Sequence, residues 1–217
     1  DEEGDKMNAV RGEWTGNLAK VLSVVFHPLF VPLYGLLIIY SSPTLLSFIP
    51  FEMKRIIFIL VSANNVILPL SVAAILYSRG AITTFNARDR NERVLLLTFA
   101  LIMYTVTAVL LMKTPVPNLF KAYFVSIAIV TLITLVITAF YRLSLHAAGI
   151  GGLLSLVAFM ILLYNISSAW QLIIVLLLGG AVMSARLYLD DHKPSEVWSG
   201  LFIGAGVMSA ALYLLLK

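Results

Sequence analysis

The sequence predicts an all-α fold, a polytopic transmembrane bundle of about seven helices. Of its 217 residues 60% are hydrophobic and only 12% charged, and the mean hydropathy of +0.97 exceeds that of a domain with a charged, water-facing surface. The apolar residues fall into runs close to the roughly 20 needed to cross a bilayer, set apart by charged or Pro-rich breaks. These runs do not alternate as barrel strands do, so helices are the form in which the backbone satisfies itself in lipid.

Taken in order, the chain opens on a polar segment, residues 1–18, containing "DEEGDKMNAVRGEW", without the apolar core or small-residue cleavage site of a signal peptide. Met7 is the expected natural start, with residues 1–6 an added remnant. One transmembrane domain, 19–217, is then expected, with spans near Ala19–Tyr40, Ile56–Tyr77, Val94–Met112, Ala122–Tyr141, Ala147–Tyr164, Trp170–Leu189 and Val197–Leu216. Tyr40, Tyr77, Tyr141 and Tyr164 close spans, and Trp14, Trp170 and Trp198 lie near span starts, where amphipathic rings prefer the headgroup boundary. Gly179, Gly180, Ser184, Gly200, Gly204 and Ala210 are expected to let late helices approach closely. No link is long enough for a soluble domain, and no internal repeat is visible.

The absence of cysteine excludes disulfides and thiolate chemistry. The net charge of +4 does not point to nucleic acid, because the cations sit at span ends, where they anchor helices or meet phosphate headgroups.

Consecutive spans alternate direction, which sorts the loops between two faces. On the face holding the N-terminus lie "SRGAITTFNARDRNER", "RLSLH" and "RLYLDDHKPSE"; the opposite loops hold no histidine and one acid, Glu52. Polar chemistry is thus concentrated on the N-terminal face.

In "SARLYLDDHKPSEVWSG", Arg186 precedes His192 by six residues and Glu196 follows it by four, close enough for the carboxylate to reach the imidazole across one helical turn. A carboxylate on one ring nitrogen fixes the tautomer and leaves the other free to attack, while the planar fork of an arginine suits phosphate oxygens. Ser144 and His146 stand just before "AAGIGG", where glycines admit a close ligand and the following helix presents free amides. A second histidine there is placed to protonate a leaving group.

At these residues the chain resembles the type 2 phosphatidic acid phosphatase superfamily, as a divergent, bacterial-like member. Its third motif, Ser-Arg, five residues, His, three residues, Asp, is matched by Ser184, Arg186, His192 and Glu196, with one inserted residue and Glu for Asp. Its Pro-Ser-Gly-His is matched by Leu143-Ser144-Leu145-His146. For its first motif, Lys with Arg-Pro seven residues on, "NARDRNERV" offers Arg88, Arg90 and Arg93 without the lysine or the proline. The resemblance spans roughly Arg88 to Gly200 and implies a metal-independent lipid phosphate phosphatase needing no cofactor. It further implies that His192 is a nucleophile forming a phosphohistidine, Glu196 its orienter and His146 the general acid. Arg186, Ser144, Arg93 and Arg90 are implied to bind phosphate. An added hairpin, spans three and four, separates the first two motifs, yet it returns the chain to the same face.

Other residues carry plainer expectations. His27 is read as a hydrogen-bonded structural residue, Asp190 and Asp191 as a solvated helix end ahead of a cation site, and Asn64 and Asn65 as interhelical hydrogen-bonders ahead of substrate ligands. The three arginines are equally readable as membrane anchors. Two further functions stay open: an inactive relative that binds or transports lipid, and a magnesium-dependent polyprenyl or alcohol-phosphate transferase. The expected partners are the bilayer and a lipid phosphate, and the expected location is a bacterial inner membrane. Of the 15 Lys and Arg, Lys54, Arg55, Lys113, Lys121 and Lys217 lie on the opposite face and the rest on the N-terminal face, so charge places the site in the cytoplasm. The resemblance points instead to the periplasm.

Overall fold

The computed structural model describes residues 2–42, 49–83, 89–164 and 170–217, with side chains from Trp14 onward and excluding that of Tyr164. Arg88 and the aromatic closure expected of Tyr164 lie outside these described residues. The helices are α1 (Glu2–Val25), α2 (Val31–Ser41), α3 (Phe51–Ser62), α4 (Leu68–Ser78), α5 (Arg90–Met112), α6 (Asn118–Thr138), α7 (Leu145–Tyr164), α8 (Trp170–Tyr188) and α9 (Pro194–Leu216). They form seven segments long and apolar enough to cross a membrane, and no strand occurs among the described residues. The chain is an all-α integral membrane protein.

Two spans differ from the continuous helices expected. The first breaks at a 3₁₀ turn, Pro28–Phe30, between α1 and α2, because Pro28 and Pro32 each lack the amide that an unbroken helix would use. The second carries a π-helical segment, Ala63–Ile67, between α3 and α4. It ends two residues before Pro69, whose missing N–H breaks the regular ladder there. Asn64 and Asn65 sit in that segment as the expected interhelical hydrogen-bonders. Asn64 donates to Thr107 Oγ1 at 3.4 Å, and the Thr107 hydroxyl donates to Asn65 Oδ1 at 2.6 Å.

The core gathers around α6, whose Phe120, Tyr123 and Phe124 meet Leu36 and Ile39 of α2, Tyr104 of α5, Met160 of α7 and Met208 of α9. In lipid such contacts act through close packing and dispersion rather than escape from water. The tightest pair is α7 with α9. A methyl at Gly204 would run into the backbone of Ala148, and one at Gly200 would lie 2.5 Å from Ser144 O. Gly200 and Gly204 therefore act as expected, whereas Gly180 faces open space and makes no such approach.

Candidate active site

Four helix ends on the N-terminal face build the site. At the start of α5, Asp89 caps the helix by accepting from the amides of Asn91 and Glu92 at 2.8 and 3.4 Å. That fixes the first turn so that Arg93 points inward and is buried, its Nη2 donating to Leu143 O at 2.7 Å. Between α6 and α7, the Ser144 amide donates to Glu196 O at 3.1 Å. Segments far apart in sequence are thus joined through the backbone of 143–144.

The end of α8 is shaped by Asp190, the one non-glycine residue with positive φ (52°) among the described residues. The Asp191 amide donates to Arg186 O at 3.3 Å and the Asp190 amide to Leu187 O at 3.1 Å. This is the paired bonding of a Schellman turn, with Asp190 at its left-handed position. The turn reverses the chain so that Asp191 and His192 both face inward and are buried. Pro194 then starts α9, and Glu196 Oε2 accepts from the Lys193 amide at 3.3 Å and from His192 Nδ1 at 2.8 Å. With Nδ1 held, His192 keeps Nε2 for chemistry.

Arg93, His146, Arg186 and His192 line one cavity of about 650 Å³. Glu196 and Ser144 stand behind its wall; the Ser144 hydroxyl is fully buried and has no hydrogen-bond partner among the described residues. His146 Nε2 meets Ser23 O at 3.0 Å, so that nitrogen carries the proton and Nδ1 is left for exchange. From Arg93 the cavity follows α5 down to Tyr104, eleven residues on, about 16 Å at the helical rise. Its deeper walls are apolar, including Leu97 and Ala100 of α5, Leu70 and Ala73 of α4, and Ile127 of α6.

Compared with protein families, characterised proteins and solved structures, the chain matches none.

The geometry corrects the placing of Arg90 and Asp191, leaves the predicted phosphate ligand Ser144 outside the cavity lining, and adds a second setting for His27. Arg90 is exposed and does not line the cavity; Arg93, three residues on and nearly one turn further along α5, is the arginine that reaches it. Asp191 is not helix-end solvation: its Oδ2 lies 3.0 Å from Arg186 Nη1, with the two side chains only 8% and 7% exposed. Asp190 alone is exposed, as read. His27 hydrogen-bonds locally, its Nδ1 accepting from the Leu29 amide at 3.4 Å, but it also lines the cavity with its ring 5.6 Å from that of His146. Lys20 of α1 lines the cavity too and passed unnoticed in the sequence, because a lysine near the start of a span looks like any interfacial anchor.

Burial pushes the His192 imidazole below the ordinary histidine value, and the guanidinium groups of Arg186 and Arg93 push the same way against the opposing pull of Glu196. A neutral, oriented ring beside two arginines has the form of a nucleophile set against an anion.

Proposed function

We propose that the protein is a membrane lipid phosphate phosphohydrolase, a divergent relative of the type 2 phosphatidic acid phosphatases, working through a phosphohistidine. The observation that carries the reading is the 2.8 Å contact of His192 Nδ1 with Glu196, in a cavity that also holds Arg186 and Arg93. The substrate phosphate monoanion first gives its proton to the bare Nδ1 of His146; His192 Nε2 then attacks phosphorus, the bond to the lipid oxygen breaks, and that oxygen takes the proton back from His146 Nδ1. Water, losing a proton to His146 Nδ1, then cleaves the phosphorus–nitrogen bond; the phosphate leaves with that proton, restoring both His192 and His146. Arg186 and Arg93 stabilise the charge on the phosphoryl oxygens in transit, and no step calls for a metal.

The substrate class follows from the shape of the cavity. Its cations lie at one end and its apolar walls run about 16 Å toward the middle of the bundle, which suits an anionic headgroup carrying a hydrocarbon tail. A phosphomonoester or the terminal phosphate of a pyrophosphate fits the cationic end equally.

The test is phosphate release from a panel of lipid phosphates in detergent with EDTA, run beside His192→Ala and Glu196→Ala. The parent should release phosphate, and His192→Ala should lose about a thousandfold or more. Folded parent protein that releases nothing from any lipid phosphate would count for an inactive lipid-binding relative. Activity on a lipid phosphate or pyrophosphate that requires magnesium and an acceptor alcohol, and that vanishes on Asp190→Ala, would count for the transferase.

A further inference from the structure

Arg186, the arginine best placed for phosphate, already holds a carboxylate. Asp191 Oδ2 lies 3.0 Å from its Nη1, and both groups line the cavity next to His192. The pairing does not come from two flexible side chains meeting by chance, because the turn at Asp190 also bonds the Asp191 amide to Arg186 O at 3.3 Å. Backbone and side chain together fix the carboxylate on the guanidinium. The same cavity is lined by the cations Lys20 and Arg93 and the imidazoles of His27, His146 and His192, with the Glu196 carboxylate on His192 behind it.

We propose that Asp191 is a resident counter-anion that trades places with phosphate on Arg186 in each turnover. The inference rests on the phosphatase reading. In the resting site the carboxylate compensates the buried guanidinium, which would otherwise be costly to hold out of water. An arriving phosphoryl group takes over Arg186, its oxygens presenting the same geometry with more charge. Once the phosphohistidine has been hydrolysed, Asp191 reclaims Arg186 and repels the phosphate that is leaving. The carboxylate thus weakens binding of substrate and product alike, and its return to Arg186 drives product out.

The test compares the binding of inorganic phosphate, and of vanadate as its analogue, to the parent and to Asp191→Asn in detergent. The proposal expects the asparagine variant to bind both anions about tenfold or more tightly, the scale for two like charges within about 5 Å in a partly screened interior. It also expects KM and kcat for a lipid phosphate to fall together, with inhibition by added phosphate strengthened. Unchanged or weaker anion binding in Asp191→Asn would overturn the proposal and leave the aspartate as a structural partner of Arg186. If neither protein binds phosphate or vanadate, the phosphatase reading fails with it, an outcome distinct from equal binding by both. Should the variant be unstable, it is expected to survive purification in phosphate and to unfold when chloride replaces it; loss in both buffers would also overturn the exchange.

Discussion

On the proposed reaction the His192 ring is the nucleophile, and its surroundings set a pH signature. Burial, with Arg186 and Arg93 beside it, holds its affinity for a proton below the ordinary histidine value, while the Glu196 contact raises it. If the neutral ring attacks as proposed, activity should be full above the folded-state pKa and fall as pH drops through it, with the inflection on the acid side of an ordinary histidine. Glu196→Gln removes the one contact that raises the value. Its acid limb should move to still lower pH while the maximal rate drops about a hundredfold, as a pH–rate profile of phosphate release will show. Asp190 offers a separate residue-scale prediction on stability. Its positive φ is a conformation that glycine adopts without penalty. Asp190→Gly should therefore stabilise the protein in detergent by up to about 1 kcal/mol, and Asp190→Val should destabilise it, both read from thermal unfolding.

Helix ends decide what the side chains meet, and that is where the sequence was partly legible. The His192–Glu196 pair could be read from its four-residue spacing, because one turn at the start of α9 is a local geometry. The choice of Arg93 over Arg90 could not, since it depends on which face of the first turn of α5 the Asp89 cap turns inward. The burial of Asp191 is hidden in the sequence for a related reason: "DD" after a helix looks like solvation, and only the left-handed turn at Asp190 carries the second aspartate inward. The entry of His27 into the cavity goes with the break at Pro28, since His27 caps the 3₁₀ turn that separates α1 from α2. At this scale the contact of α7 with α9 is the test. Gly204→Ala forces a methyl into the backbone of Ala148 and should cost about 1–3 kcal/mol of stability. Because the Ser144 amide bonds Glu196 O across the same contact, the variant that still folds should also lose activity, measurable as a lower kcat with near-parental KM.

The whole molecule was the most legible level, because bilayer thickness and helix rise leave little freedom in placing seven apolar spans. Loop parity alone put "NARDRNER", "RLSLH" and "DDHKPSE" on one face, and the fold brings Arg93, His146, Asp191 and His192 from these three stretches to one cavity. The cavity between the helices was not legible, since apolar residues facing lipid and those facing an internal channel share one composition. Its depth carries a prediction about substrate size. Ala100 lines the apolar part, and Ala100→Trp should depress turnover of a long-chain lipid phosphate about tenfold while sparing a short, soluble phosphate ester. Equal loss on both would remove the tail from the cavity.

The central claim, that His192 is the nucleophile, is tested most directly by trapping the intermediate. Protein quenched during turnover of a phosphorus-labelled lipid phosphate should carry an acid-labile, base-stable phosphoryl group that maps to the peptide containing His192 and is absent from His192→Ala. Turnover with no label on the protein, or label that persists in His192→Ala, would contradict the account.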